Sequence, residues 1–419
     1  MRLALALILL AGALAPESAH AKRIFVPREH RRLQAAIDAA AAGDTIWVAA
    51  GTYYGPFVLK KRLVLFGEGG PENTILDGHD SVRVLHVEGV TRGAVFGFRI
   101  QHGKAPGGGG IYCLRDTAFV IGSCDIRSNW EAGVAAWESG PIQILDSEIS
   151  GNKGSGLTAS DSRLRLLRVR FRDNHGPTGG GMSLTSSDLN VAQQCLFEGN
   201  RAEGGTGGGL YAEASTVGLT ACQFRDNTAA AGGGAVAVMD STDLRIRSSF
   251  FEANRSSTGG AVLTDRSYLD VQLSIFTKNR ATAAGAAVHI LGRRTAGVNP
   301  QIISNTFYRN GVDSEGGAVF SQEVSPEIVR NVFVIDSTAK NESVVALKGT
   351  PRYECNLIHA TDGRGPRPSG NTIVGNPSFC DAEKGDFHVR DLSPALLAPC
   401  GTLGALGKGC TSFRLVPSQ

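Results

Sequence analysis

Residues 197–262 read FEGNRAEGGTGGGLYAEASTVGLTACQFRDNTAAAGGGAVAVMDSTDLRIRSSFFEANRSSTGGAV and hold one pattern three times. An aromatic-x-x-Asn element recurs as Phe197-Glu-Gly-Asn200, Phe224-Arg-Asp-Asn227 and Phe251-Glu-Ala-Asn254. A glycine signature is staggered against it, as in Gly207-Gly-Gly-Leu210 and Gly259-Gly-Ala-Val262. Outward from this stretch the first element runs back through Phe171–Asn174, Ile149–Asn152 and Ile126–Asn129. It runs forward through Phe276–Asn279 and Phe307–Asn310, and decays to Phe333-Val-Ile-Asp336. The glycine signature reappears as Gly179-Gly-Gly-Met182 and Gly316-Gly-Ala-Val319. Successive spacings of the first element are 22–31 residues, averaging about 26.

A period near 26 fits a coil of a parallel β-helix or a leucine-rich repeat. The dense L-x-x-L-x-L ladder of the latter is missing. Each repeat instead holds short alternations such as Ala235-Val-Ala-Val238 and Leu244-Arg-Ile246, bounded by Gly, Asn, Asp and Ser. These predict strands of about four residues with tight turns and no room for a helix. Successive coils then pair their strands in parallel at about 4.8 Å. The repeated Phe is expected to point inward and stack. The Asn is expected at a bend, bonding its neighbours above and below, and glycine supplies positive φ at the opposite corner. The fold expected is an all-β parallel solenoid of about eleven coils.

Composition agrees and excludes much else. The chain has 419 residues, 42 Lys+Arg against 39 Asp+Glu, 54 Gly and 8 Cys. Glycine is abundant without the every-third spacing of collagen. With 42% hydrophobic and 19% charged residues, disorder is not expected. A net charge of +3 gives no case for nucleic acid or an anionic membrane. Residues 1–21, MRLALALILLAGALAPESAHA, read as a secretory signal peptide: Arg2, the apolar run Leu3–Leu14 and the cleavage site Ala19-His20-Ala21. Twelve apolar residues are too few to span a bilayer. The protein is therefore expected to be exported, to the periplasm, cell surface or medium, where its cysteines can oxidise. It is expected to act as a monomer without a membrane span after signal removal.

The paired signatures resemble the right-handed parallel β-helix, or pectin lyase-like, superfamily, and the G-G-A-V/F-x-x-N repeats of polymorphic outer membrane proteins in particular. The resemblance covers residues 107–336 and implies fold rather than activity. The start of the chain is similar to the opening of many β-helix enzymes, in which a short helix, here Leu33-Gln-Ala-Ala-Ile-Asp-Ala-Ala, caps the first coil. The division expected is a cap at 22–56, coils at 57–336, and last coils with a disulfide-tied closure at 337–419. Nine residues follow Cys410, too few for the translocating barrel of the outer-membrane family.

Cys195 and Cys222 each precede an inward Phe by two residues, so they share a column and a bridge is expected between them. Cys355, Cys380, Cys400 and Cys410 lie in the looser tail, where 355–380 with 400–410 is the expected choice among three pairings. Cys113 and Cys124 form a further set. Without C-x-x-C or histidines at ligand spacing, no metal and no cofactor is expected.

Chemistry is expected on the outward face of the strands that follow the glycines. One outward column there runs Tyr112, Ala135, Thr158, Ser183, Tyr211, Ala237, Leu263, His289 and Phe320, and a second includes Trp137, Glu213 and Asp265. Tyr211, Trp137, Phe320 and Arg266 are the candidate glycan-binding residues; Glu213, Asp265 and His289 are the candidate catalytic ones, near Arg293 and Arg294. Two carboxylates two coils apart suit inverting glycoside hydrolysis, while His289 beside arginines suits a lyase or epimerase. A solvated face of nine coils carries such residues in any case. The enzyme signatures of pectate lyases, polygalacturonases and pectin methylesterases are missing. Asp77-Gly-His-Asp80 distantly resembles the D-P-H-D of alginate epimerases, lacks its Pro, and reads as a turn with His79 exposed. The function expected is a secreted or surface-exposed, non-enzymatic β-helix protein binding a polysaccharide or cell-surface glycan in the manner of an adhesin. The alternative is a polysaccharide lyase, glycoside hydrolase or uronate epimerase.

Overall fold

The computed structural model describes residues 21–292, 299–313, 316–335, 341–360 and 371–409. The signal peptide but for Ala21, Arg293, Arg294 and Cys410 lie outside them. Each coil is built as the repeat dictates, and the coil beginning at Thr216 shows the order. Thr216–Thr220 joins sheet A, Gln223–Arg225 sheet B, Thr228–Ala229 a short sheet D, and Val236–Met239 sheet C. Sheets A and B have 14 strands each, C has 12 and D has six, all parallel and stacked in chain order. The molecule is thus a parallel β-helix of about twelve turns, and sheet D adds a fourth face that the periodicity did not announce.

Register is set by identical residues. Phe171, Phe197, Phe224, Phe251, Phe276, Phe307 and Phe333 are Cα partners in sheet B. Their buried rings stack at 4.5–5.0 Å with planes within 10°. At the following bend Asn129, Asn152, Asn174, Asn200, Asn227, Asn254, Asn279 and Asn310 form a continuous buried ladder. Each Nδ2 donates to the next Oδ1 at 2.8–3.0 Å. A full set of partners is what a buried amide needs.

The glycine corner behaves as expected, with Gly207, Gly233 and Gly259 at φ of 71, 61 and 58°. From Ser123 onward the corner between sheets A and B does not use glycine. Asp146, Arg168, Gln194, Ala221 and Ser248 turn the chain there at φ of 47–53°, a region most side chains avoid. The next residue then points inward and anchors the turn. Ser147 and Ser249 donate to the carbonyl two residues back, at 2.7 and 2.9 Å.

That column corrects the expected Cys195–Cys222 bridge. Both residues occupy it, and both are buried free thiols. Cys222 Sγ lies 3.2 Å from the Ala192 carbonyl and 3.5 Å from Thr220's, and Cys195 Sγ 3.4 Å from Gln193's, so each stands in for a serine hydroxyl. In-register stacking keeps the two Cβ vectors side by side, whereas a disulfide needs them to converge. Cys113 and Cys124 are also free and buried.

In the tail, Cys355 bonds Cys400 across a Cα separation of 6.4 Å, replacing the expected 355–380 and 400–410 pairs. Cys380 is likewise oxidised. The reason is the path of the chain. The closing segment turns back along the outside of sheet B, where Phe379 and Phe387 pack edge-on against Tyr308. Phe387, Ala395 and Leu403 there bury Phe250, Ile275, Val332 and Leu357. Cysteines close in sequence thus meet different coils. At the other end, Leu33–Ala39 forms the short helix, burying Leu33, Ala36 and Ile37. Gln34 accepts the Val58 N–H at 2.8 Å. Among the described residues no helix is long and apolar enough to cross a membrane.

Candidate functional site

Sheet C gathers the predicted residues in register but does not leave them free. Tyr211 and Ala237 are Cα partners, as are Leu263 and His289, and His289 and Phe320. The glycine-rich turns lie over this column: a Cβ on Gly232 would meet Leu263, and one on Gly285 would meet His289. His289 is therefore 4% exposed and Phe320 8%, packed edge to face at 4.8 Å. Burial pushes the His289 imidazole down to about 4, so the ring is neutral and shielded at ordinary pH. The expectation of an outward, working His289 and an accessible Phe320 is corrected on that ground.

The carboxylates are held by neighbours. Glu213 accepts from the Tyr211 hydroxyl at 2.9 Å. Burial first, then Glu213 and Asp240, push that phenol up to about 12. Arg266 Nη1 lies 3.2 Å from Asp265, and its Nε donates to Asp240 at 2.7 Å. Met239 is the register partner of Glu213 and stands in the coil between the two proposed catalytic carboxylates, where a hydrolytic water would be needed. Trp137 is 37% exposed, whereas Tyr211 is half-buried.

A second cluster, at the end of the sheet B strand Thr74–Asp77, was not assembled by sequence reasoning. Asp77 is buried and accepts from Gln101 Nε2 at 2.8 Å, the His79 N–H at 2.8 Å and His102 Nδ1 at 3.0 Å. Burial raises its pKa, but these bonds and the His102 charge outweigh that and hold it below the usual carboxylate range. His79 is exposed, as expected, and stacks on Tyr54 at 4.0 Å. Asp80 accepts from the Trp130 indole at 2.6 Å. The signal was present in Asp77-Gly-His-Asp80; the partner His102 is one coil on and invisible without the register. Among the described residues no three His, Cys, Asp or Glu side chains are placed to hold a metal ion.

Comparison with known proteins agrees with this architecture. The family model "Right handed beta helix region" matches residues 72–220. Among curated proteins, metabotropic glutamate receptor-like protein R of Dictyostelium discoideum is 27% identical over 185 residues, 43% of this chain. The chain spans only 10% of that protein. Among solved structures, a mutant of the PL6-family alginate lyase AlyGC is 14% identical at a TM-score of 0.48, over 95% of this chain and 59% of that one. The pectate lyase Pel9A is 11% identical at a TM-score of 0.35, over 93% and 96% of the two chains. The chain is a parallel β-helix, and its residues 72–220 match the right-handed β-helix family model. The parallel β-helix is host to many activities, and the fold alone does not choose among them.

Proposed function

We propose that the protein is an exported β-helix that binds an extracellular glycan along its outer surface without cleaving it. One observation carries this reading: each acid–base candidate on sheet C is already engaged. His289 is buried, Glu213 is bonded by Tyr211, and Asp265 is paired with Arg266. A general acid or base needs to reach the proton it moves. A second reading is favoured by the Asp77–His102 pair, in which a buried carboxylate orients a half-exposed imidazole, the arrangement of a histidine base.

One experiment separates them: binding and product analysis on a panel of acidic and neutral polysaccharides. Binding is expected without new reducing ends or unsaturated products, and Glu213→Gln or Asp265→Asn is expected to change nothing. Turnover that vanishes in His102→Ala makes the second reading correct. No binding to any glycan sinks the first.

A further inference from the structure

The residue that follows each Asn of the buried ladder points to solvent, and these residues form their own column. Backbone hydrogen bonds of 2.8–3.0 Å stack Trp130, Lys153, His175, Arg201, Thr228, Arg255 and Arg280 one coil above another, each N–H donating to the coil before. Lys104 opens the column. Every member except the half-buried Thr228 is exposed. Five permanent cations, a histidine and a tryptophan thus lie on one line over eight coils, about 34 Å at the usual spacing.

The line is left uncompensated, unlike the face beside it. On sheet B, three residues earlier in each coil, Arg172 pairs with Glu198 at 3.0 Å and Arg225 with Glu252 at 3.6 Å. On the line, Arg255 and Arg280 are direct register partners, a like-charge juxtaposition that costs stability. Among the described residues, Arg201, Arg255 and Arg280 make no ion pair. Asp173 and Asp226, across the bend, reach none of them; the carboxylates that touch the line meet its uncharged or titratable members, Glu203 at 3.4 Å from His175 and Asp80 at 2.6 Å from the Trp130 indole. At its far end Lys104 and Lys153 lie 4.6 and 3.3 Å from the Trp130 ring rather than against a carboxylate. Local rules broken in this way without a structural gain mark functional positions.

We propose that this line is a binding track for a linear acidic polysaccharide lying parallel to the solenoid axis. A polymer with one carboxylate per sugar has a repeat close to the coil spacing of about 4.8 Å, so alternate sugars meet Lys104, Lys153, Arg201 and Arg255, and the next sugar after Arg255 meets Arg280. Trp130 offers a ring at the end of the track. The proposal rests on the glycan-binding reading and names its substrate class and place.

The test uses the exported chain and polygalacturonate as probe, with a neutral galactan and single-stranded DNA alongside. The variant carries Arg201→Glu, Arg255→Glu and Arg280→Glu. Its control carries Arg31→Glu, Arg32→Glu and Arg165→Glu, three exposed arginines off the track with the same change of net charge. The wild type is expected to bind polygalacturonate, more weakly as salt rises. The track variant is expected to lose at least about tenfold in affinity and the control to keep most of it. Circular dichroism checks the fold, and a triple Arg→Gln variant replaces the first if charge reversal unfolds it. Equal losses in both variants, or tighter binding of DNA than of polygalacturonate, overturn the proposal. Galactan binding with no polygalacturonate binding overturns the track but leaves the glycan-binding reading standing. Binding to none of the probes overturns the track, and the full glycan panel then decides the broader reading.

Discussion

Asp116 is a fully buried carboxylate at the head of a hydroxyl ladder between sheets C and A. Its Oδ1 accepts the Val90 N–H at 2.7 Å, and its own N–H donates to Ser139 Oγ at 3.0 Å. Burial pushes its pKa up to about 6 despite bonds to the Val90 and Leu114 N–H groups. The folded state therefore holds this proton more tightly than the unfolded chain, where the value is about 3.9. Its contribution is complete below about pH 4 and is lost as pH rises through 6. Asp116→Asn, which keeps the acceptor, is expected to stabilise the protein by about 2 kcal/mol at pH 8 and by little at pH 4. Urea melts of both proteins at the two pH values check this. His289 has the opposite sign: its depressed pKa favours the folded state above about 6.5, and that contribution is lost as pH falls toward 4.

At the scale of the strand and its corner, the Asn ladder carries the prediction. Asn227 donates to the Phe197 carbonyl at 2.8 Å and to Asn254 at 3.0 Å, and accepts from Asn200 at 2.9 Å. Asn227→Ala takes bonds from buried Phe197 and Asn200 in the coil before and from Asn254 in the coil after, and is expected to cost roughly 2–4 kcal/mol in urea melts. Asn310→Ala, at the end of the ladder, is expected to cost less. This ladder and the Phe stack were legible because one residue type recurs at each position. The A–B corner was not. Its inward column uses Ser147, Val169, Cys195, Cys222, Ser249 and Asn305, alike in size or bonding but not in letter. The cysteines were consequently read as bridge partners, when the position asks only for a small buried side chain, a hydroxyl, a thiol or the apolar Val169 alike. The left-handed residues before them carry no glycine to announce them.

For the whole molecule, shared register means that coils are exchangeable units. Deleting residues 224–250 joins Gln223 to Phe251, which takes the place of Phe224 in every column. The shortened chain is expected to fold with the same circular dichroism and a modestly lower melting temperature. Removing residues 224–236 instead puts strand residues at a corner and is expected to prevent folding. The deletion also removes Thr228 and brings Arg201 beside Arg255. Sites of this kind were legible only in part. Columns on sheet C followed from strand alternation, but not the turns that cover them. The cationic line needed the bend to be placed first, since its members carry no common letter.

The Asn ladder has one consequence for the rod as an object. Each amide carbonyl faces the preceding coil and each Nδ2 the next, from Asn129, whose Oδ1 accepts the Gly103 N–H, to Asn310. Eight amide dipoles are therefore aligned head to tail, as peptide dipoles are in a helix. Coils that are interchangeable in shape are thus ordered electrically, positive toward Asn310 and negative toward Asn129, and the two ends of the solenoid are unlike even where their sequences agree.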